Sequence, residues 1–210
     1  MDSGLVIVVG LAREARIAAP RGRVVIGATA LPGALAGALG LVSFGICGAL
    51  DPALAVGDLV VADGVVDTRE RLAADPAWTA ALRSALPRSR PGLATGSGAI
   101  VGSVADKATL RRATGAAIVD METHAVAMAA RHAGVPFVVV RAVSDSAAHA
   151  LPRAAQAGFK ADGEPDVGAV LVGLLRRPWE LPALVRTALD AENAFKSLSR
   201  AAAALTPPPL

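Results

Sequence analysis

The sequence VDMETHAVAMAARHAGVPFVVVRAVSD, residues 119–145, decides the fold class of this chain. The apolar run that ends at Val119 predicts a strand, and the alanine-rich segment 123–133, which contains neither Gly nor Pro, predicts a helix. Gly134 ends that helix, and the proline two residues later keeps it from continuing. The uninterrupted apolar run 137–140 is typical of a strand covered on both faces. The stretch therefore predicts a strand–helix–strand unit of an α/β protein.

Acidic side chains follow both strands of this unit. Glu122 stands where the first strand ends and the helix begins, and Asp145 stands where the second strand ends. In open α/β sheets, ligands bind in the crevice outside the carboxyl ends of the strands. We therefore expect Glu122 and Asp145 to face one crevice. Each also has a purely structural explanation, because Glu122 can complement the dipole at the start of a helix and Asp145 can cap a following helix.

The composition is that of one globular domain. A chain of 210 residues is long enough to bury a core, so residues 1–205 are predicted to form a single domain and residues 206–210 a frayed tail. The net charge is only +3, the arginines are scattered, and Tyr is absent, so no nucleic-acid partner is expected. The single cysteine, Cys47, excludes an internal disulfide, and the N-terminus lacks the basic region of a secretory signal. We therefore expect a cytoplasmic protein.

Neither a membrane span nor a metal site is predicted. Residues 24–50 contain no charged side chain, and that length could cross a bilayer. Pro32 and several glycines interrupt the stretch, however, so strand, helix and strand are the better interpretation. His124 and His132 are eight residues apart, which is not a metal-ligand spacing on one helix turn. The chain also lacks the fingerprint of a dinucleotide site and the lysine of a P-loop.

The remaining elements are predicted from apolar runs between turn signals. Strands are predicted at 5–9, 24–26, 41–44, 59–62 with 65–66 (one strand or a hairpin), and 98–103. Helices are predicted near 13–16 and at 31–39, 76–86, 105–114, 167–175 and 181–205. Residues 87–96 are predicted to form a surface loop, and 146–165 a loop long enough to act as a lid.

Three segments together resemble one enzyme family. They are VVGLAREAR (8–16), SFGICGALDPALAVGDLVVAD (43–63) and the stretch 119–145. In this combination the chain resembles the nucleoside phosphorylase and nucleosidase family, which includes purine nucleoside phosphorylases, uridine phosphorylases and methylthioadenosine/S-adenosylhomocysteine nucleosidase. The resemblance implies a three-layer α/β/α fold with a central mixed sheet that partly closes on itself. It also implies cleavage of the bond between ribose C1′ and a nucleobase.

The resemblance implies roles for individual residues as well. Asp145 matches the family's general acid at purine N7, a task for which burial must raise its pKa, and Ser144 would orient it. Glu122 matches the residue that binds the ribose hydroxyls, where a carboxylate also favours the positive charge that develops on the sugar. Met121 matches the apolar wall under the sugar.

The group that handles the nucleophile departs from the family pattern. Glu14 is the nearest match to the glutamate with which the nucleosidases handle the attacking water. Ser43 and Ile46 stand at two positions where purine phosphorylases contact phosphate, so two usual contacts are missing. The residues that could still bind phosphate are Ser43, the backbone N–H groups near Gly45, and Arg13 or Arg16.

We predict phosphorolysis of a purine nucleoside, with inorganic phosphate as co-substrate and no cofactor. The opening GLAREAR and the segment LPALVRTALDAENAFKSL (181–198) resemble the hopanoid-biosynthesis-associated phosphorylase subgroup, which implies adenine release from an adenosylhopane-like, lipid-linked substrate. The family further implies a homodimer. Two alternatives stay open: hydrolysis with Glu14 activating water, and a nucleoside-binding protein without the chemistry. Glu14 could also be a solvated surface charge, and Gly45 a turn glycine.

Overall fold

A mixed sheet of nine strands forms the centre of the computed structural model, which describes residues 4–156 and 166–209. The strands are β1 (Leu5–Val9), β2 (Arg23–Ile26), β3 (Gly40–Ala49), β4 (Leu59–Val61), β5 (Gly64–Val66), β6 (Arg71–Ala73), β7 (Leu93–Gly96), β8 (Ile118–Asp120) and β9 (Phe137–Asp145). The helices are α1 (Ala12–Ala18), α2 (Pro76–Ala85), α3 (Val104–Thr114), α4 (Thr123–Ala133), α5 (Arg153–Gln156), α6 (Val167–Arg176) and α7 (Leu181–Ala202).

The sheet partly closes on itself. Its main path runs β2–β1–β3–β8–β7–β5–β6, and β9 lies beside β3 in parallel and beside β4 in antiparallel orientation. Because β4 continues through Ala62 and Asp63 into β5, the strands β9, β3, β8, β7 and the β4–β5 segment form a closed ring. This ring confirms the mixed, partly closed sheet that the resemblance implied.

Helices cover both faces of the sheet, which confirms the three-layer α/β/α architecture. In β1, successive side chains point to opposite faces and all are buried. Val6 and Val8 belong to the core that includes residues of α4, whereas Leu5, Ile7 and Val9 belong to the core that includes residues of α1, α2 and α7. Each of these buried side chains stabilises the fold by roughly 1.5–3 kcal/mol.

The two longest strands extend further than predicted. The glycine-rich segment 45–48 continues β3, because its backbone pairs with β9 as far as the Gly48–Asp145 pair. A register shift between Cys47 and Gly48 interrupts that pairing. As a result Arg141, Ser144 and Asp145 belong to β9 itself and are held by the sheet rather than by a loop.

Two predicted elements were wrong. Residues 31–39 do not form a helix but contain one short 3₁₀ turn, Pro32–Ala34, because glycines within this segment cost helix stability. The strand predicted at 98–103 lies instead at Leu93–Gly96, inside the predicted surface loop, where it pairs with both β5 and β8. The other predicted helices are present, with ends that differ by a few residues.

Part of the C-terminal segment contacts the body of the protein. The indole N–H of Trp78 donates a hydrogen bond to the carbonyl oxygen of Thr206 at 3.0 Å, so part of the predicted frayed tail has a fixed partner. Residues 157–165 of the predicted lid lie outside the described residues. None of the helices that the described residues form combines the length and apolar character needed to cross a membrane.

Candidate active site

Four strand ends surround a cavity of about 390 Å³. The last residues of β3, β8 and β9 line it, together with Gly10, which follows β1. Apolar side chains and backbone form most of its wall. The charged side chains that line it are Glu14, Asp120, Glu122, Arg141 and Asp145.

Glu14 enters this cavity from the first turn of α1. Its side chain is buried, and its carboxylate accepts hydrogen bonds from three backbone N–H groups: Gly10 at 2.8 Å and Leu11 at 2.9 Å to Oε2, and Ile46 at 2.7 Å to Oε1. Burial raises the pKa of Glu14 from 4.5 to about 7 and outweighs the opposing effects of Arg141 and the three N–H groups. Glu14 is therefore not a solvated surface charge, and near neutral pH it can gain or lose a proton.

Two glycines have no side chain where the carboxylates of Glu14 and Glu122 lie. A Cβ atom on Gly45 would lie 2.5 Å from Glu14 Oε1 and 2.5 Å from Nη1 of Arg141. A Cβ atom on Gly10 would lie 2.8 Å from Oε1 of Glu122. Gly45 is thus a strand residue that lets charged groups approach the backbone closely, not a turn glycine.

Arg141 is fully buried and surrounded by acidic and hydroxyl groups. Its Nη2 donates to Ser43 Oγ at 2.7 Å and to Thr123 Oγ1 at 3.1 Å. Its Nε lies 3.3 Å from Asp120 Oδ2, and its Nη2 lies 3.7 Å from Glu122 Oε2. Burial acts to lower the pKa of Arg141, but the neighbouring carboxylates outweigh it and raise that pKa above its usual value. Arg141 therefore stays charged and holds these side chains together.

Asp120 fixes the start of α4, where Glu122 and Met121 lie. Its Oδ1 accepts the N–H groups of Glu122 at 2.8 Å and Thr123 at 2.7 Å, and its Oδ2 accepts from the Thr123 hydroxyl. Burial raises the pKa of Glu122 more than the charge of Arg141 lowers it. Met121 also lines the cavity, with half of its side chain exposed.

Asp145 lies at the end of β9 and is bound by a cation and a hydroxyl. Nζ of Lys107, on α3, donates to Asp145 Oδ2 and also to the carbonyl oxygens of Ser146 at 2.8 Å and His149 at 3.1 Å. Ser144 Oγ lies 3.1 Å from Asp145 Oδ1. Burial raises the pKa of Asp145 and outweighs the lowering effects of Lys107 and Ser144.

Lys107 was not predicted from the sequence to be a residue of the site. It is completely buried on a helix that carries other charged residues, and its partner Asp145 is 38 positions away. The sequence contains only three lysines among many arginines, which is the one weak signal it offers. Tertiary packing alone brings this cation to Asp145, which lines the cavity.

The side chains predicted to bind phosphate do not line the cavity. The guanidinium of Arg13 lies 4.2 Å from the ring centre of Phe195 and pairs with Glu192 at 2.7 Å. Arg16 is exposed on α1. Ser43 is buried beneath the cavity, where it bonds to Arg141. The backbone N–H next to Gly45, that of Ile46, is bound to Glu14.

The cavity lies at the ends of the strands, which is where α/β proteins usually bind small molecules. The chain belongs to the phosphorylase superfamily, whose family model matches residues 6–176. A search of curated protein sequences found no match.

Solved structures with a similar fold include nucleosidases and a hydrolase. S-adenosylhomocysteine nucleosidase from Streptococcus pyogenes, in complex with 5-methylthiotubericidin, has a TM-score of 0.61 and 21% identity over 92% of this chain and 95% of that chain. The 5′-methylthioadenosine/S-adenosylhomocysteine nucleosidase from Colwellia psychrerythraea, in complex with adenine, has a TM-score of 0.65 and 19% identity over 98% and 97%. Futalosine hydrolase of Helicobacter pylori has a TM-score of 0.62 and 16% identity over 96% and 97%. At these identities the likeness establishes the fold.

Proposed function

We propose that this protein hydrolyses the N-glycosidic bond of a purine nucleoside. The observation that carries the proposal is the position of Glu14. Its carboxylate accepts the backbone N–H groups of Gly10, Leu11 and Ile46, which would otherwise be free to bind an anion such as phosphate. This arrangement favours water over phosphate as the nucleophile and therefore favours hydrolysis over the phosphorolysis that the resemblance implies.

The charges around the cavity support the same choice. Of the described residues that line it, only Arg141 is a cation, and that side chain is already shared among Asp120, Glu122 and Ser43. A phosphate ion would add negative charge beside several carboxylates in a poorly hydrated site, where like charges repel strongly. A neutral water molecule meets no such barrier.

Glu14 retains the capacity to bind and deprotonate one water molecule. A carboxylate has about four acceptor positions, and backbone N–H groups occupy three of those of Glu14. The remaining position can accept a proton from water as the water oxygen bonds to ribose C1′. The electron pair of the C1′–N bond leaves with the purine, and Glu122 offsets the positive charge that develops on the ribose.

Asp145 provides the proton that the departing purine needs. Burial raises the pKa of this carboxyl, which favours the protonated form required for donation to N7. Lys107 and Ser144 each bind one of its oxygens, and they fix the orientation of the carboxyl plane. Two carboxyl groups thus perform opposite tasks, with Glu14 taking a proton and Asp145 giving one.

The substrate that fits this cavity best carries an apolar group on the ribose. Ile100, Val101 and Leu151 contribute apolar side chains to the wall of the cavity. The similar structures named above include nucleosidases described with 5-methylthiotubericidin and with adenine. We therefore propose an adenine nucleoside with an apolar 5′ substituent, and an adenosylhopane-like compound is one member of that class. The homodimer and the cytoplasmic location stay predictions.

Substitution of the two carboxyl groups tests whether the protein is an enzyme of this kind. Asp145→Asn should lower kcat by a factor of roughly 10²–10⁴ while leaving nucleoside binding measurable by calorimetry, because the proton is lost but the shape is kept. Glu122→Gln should reduce kcat/KM for base release. Asp106→Asn, a change of an exposed carboxyl on α3, is the matched control. Turnover unchanged by Asp145→Asn would contradict the acid role, and nucleoside binding without any base release would indicate a binding protein.

A further inference from the structure

An apolar surface remains exposed on α6, on the following turn and on the first half of α7. Seven of the eleven large hydrophobic side chains that are exposed in the described part of the chain lie here, with exposed fractions between 48% and 83%. We call this the α6–α7 surface, and its apolar members are Leu171, Val172, Leu175, Trp179, Leu181, Val185 and Leu189.

The periodicity of these side chains makes one continuous stripe on α7. Leu181, Val185 and Leu189 follow one another at four-residue intervals, which places them on one side of the helix. The second half of α7 packs differently, because Phe195 and Leu198 are buried against the sheet. Single exposed apolar residues are ordinary, but a contiguous group of this size is typical of an interaction site.

Arginines accompany this apolar surface. Arg153, Arg176 and Arg177 line a hollow of about 490 Å³ between α5 and α6, and Val172 of the α6–α7 surface lines the same hollow. Arg177 lies 4.0 Å from Glu180 Oε1, and Arg153 and Arg176 are the two guanidinium groups suited to a phosphate group, which arginine binds in a bidentate manner. Cations and exposed apolar residues therefore meet at one place.

Two carboxylates of this region are partly buried. Glu180 retains only 16% side-chain exposure and accepts the N–H of Ala154 at 3.1 Å. Asp190 has 29% exposure, while its neighbour Arg186 has 60%. Glu180 pairs with Arg177 at 4.0 Å and Asp190 pairs with Arg186 at 3.8 Å, so among the described residues of this region Arg153 and Arg176 supply the positive charge.

We propose that the α6–α7 surface docks onto the surface of a lipid bilayer that contains anionic phospholipids. The phosphate of a headgroup would occupy the arginine hollow, and Trp179 with the neighbouring leucines would enter the interface between headgroups and acyl chains. Tryptophan is enriched at that depth in membranes, and arginine is attracted to its negative surface. A second copy of the same surface would bring further cations toward the arginines, whereas anionic headgroups neutralise them.

The first half of α7 also lies close to the active-site cavity. A second hollow is lined by Asp145 and Leu151, which also line the active-site cavity, and by Pro182 and Arg186 of α7. The α7 side chains that line this hollow lie on other sides of the helix than Leu181, Val185 and Leu189. Membrane docking itself does not depend on the proposed reaction, so each can fail without the other.

Vesicle flotation of the full-length chain tests the proposal. The probes are vesicles of phosphatidylcholine alone and vesicles of phosphatidylcholine with phosphatidylglycerol. We expect binding to the anionic vesicles only, weakening as salt is added. Trp179 is 72% exposed and Trp78 is buried, so a blue shift of tryptophan emission on binding would report Trp179. Arg176→Glu should weaken vesicle binding roughly 25-fold, because it removes one attraction and adds one repulsion.

Matched substitutions separate docking from general effects. Trp179→Ser should abolish the emission shift and weaken binding, whereas Leu39→Ser, at a residue that is 58% exposed elsewhere, should not. Arg88→Glu controls for net charge. An absence of anionic-vesicle binding, or equal binding by Arg176→Glu and Arg88→Glu, would overturn the proposal. The proposal would also be overturned if the wild type bound no vesicles and analytical ultracentrifugation showed that Trp179→Ser converts a dimer to a monomer.

Discussion

Nζ of Lys107 donates a hydrogen bond to Oδ2 of Asp145 inside the protein, where α3 meets the end of β9. The lysine is completely buried, and its other two hydrogen bonds go to backbone carbonyl oxygens of the segment that follows Asp145. One cation therefore fixes both the carboxyl group and the chain that continues from it. Burial and Lys107 act in opposite directions on the pKa of Asp145, and burial has the larger effect.

Lys107→Gln should change how the rate depends on pH. Loss of the cation removes an effect that lowers the pKa of Asp145, so the carboxyl stays protonated to higher pH. The fall of kcat at high pH should then move upward, and kcat itself should decrease because the carboxyl is less firmly oriented. Lys196→Gln, an exposed lysine on α7, is the control. An unchanged pH profile with lower stability would assign Lys107 a structural role alone.

Glu14 should govern the rise of the rate with pH. Its pKa is about 7, and the proposed base must be unprotonated, so kcat/KM should increase as the pH rises through that value. Glu14→Gln should remove this rise and lower kcat roughly 10²- to 10⁴-fold. Glu70→Gln, at a partly exposed carboxyl paired with Arg131, should leave the profile as it is. A rise that persists in Glu14→Gln would exclude Glu14 as its source.

The raised pKa of Glu14 also predicts that the folded state becomes less stable as the pH rises. In the unfolded chain Glu14 loses its proton near pH 4.5, whereas in the folded protein it keeps it to about 7. Between these values the folded state binds more protons, so the free energy of unfolding falls as the pH rises, by roughly 3 kcal/mol in total. Glu122 and Asp145, whose pKa values are also raised, act in the same direction. Urea unfolding at several pH values should show a shallower slope for Glu14→Gln than for the wild type.

Gly45→Ala should damage the site and the fold together. Its new methyl group would lie 2.5 Å from both Glu14 and Arg141, so one of these buried charged groups must move. We expect a loss of about 1–3 kcal/mol in the free energy of unfolding and a marked loss of turnover. Gly33→Ala provides the comparison, because a Cβ atom there meets nothing within 4 Å. Equal stability and turnover in the two variants would mean that Gly45 adds no constraint.

Much of the sheet is predictable because its strands are continuous apolar runs. The stretch 119–145 specifies β8, α4 and β9 by periodicity and by the glycine and proline that end the helix. The segment 31–39 misleads for the same reason, since its small apolar residues resemble a helix although their glycines favour turns. The strand at 93–96 has no strong apolar pattern, and its pairing partners alone decide its position.

Some residues of the site could be predicted from the sequence, and others could not. Glu122 and Asp145 are foreseeable because they stand at strand ends, and strand ends of one sheet meet. The role of Lys107 could not be foreseen, because its contact with Asp145 depends on where α3 packs. Arg13 shows the opposite error: it stands next to Glu14 in sequence, yet it faces away and pairs with Glu192, 179 positions further on. Sequence distance therefore says little about which cations reach the cavity.

Base release in the presence and absence of inorganic phosphate tests the central claim most directly. An adenine nucleoside would be incubated with the full chain in water enriched in heavy oxygen, and the products followed by chromatography and mass spectrometry. Hydrolysis predicts adenine at the same rate with or without phosphate, and a free sugar that carries heavy oxygen at C1′. Adenine that appears only with phosphate, together with a sugar 1-phosphate, would contradict the role of Glu14 and establish phosphorolysis.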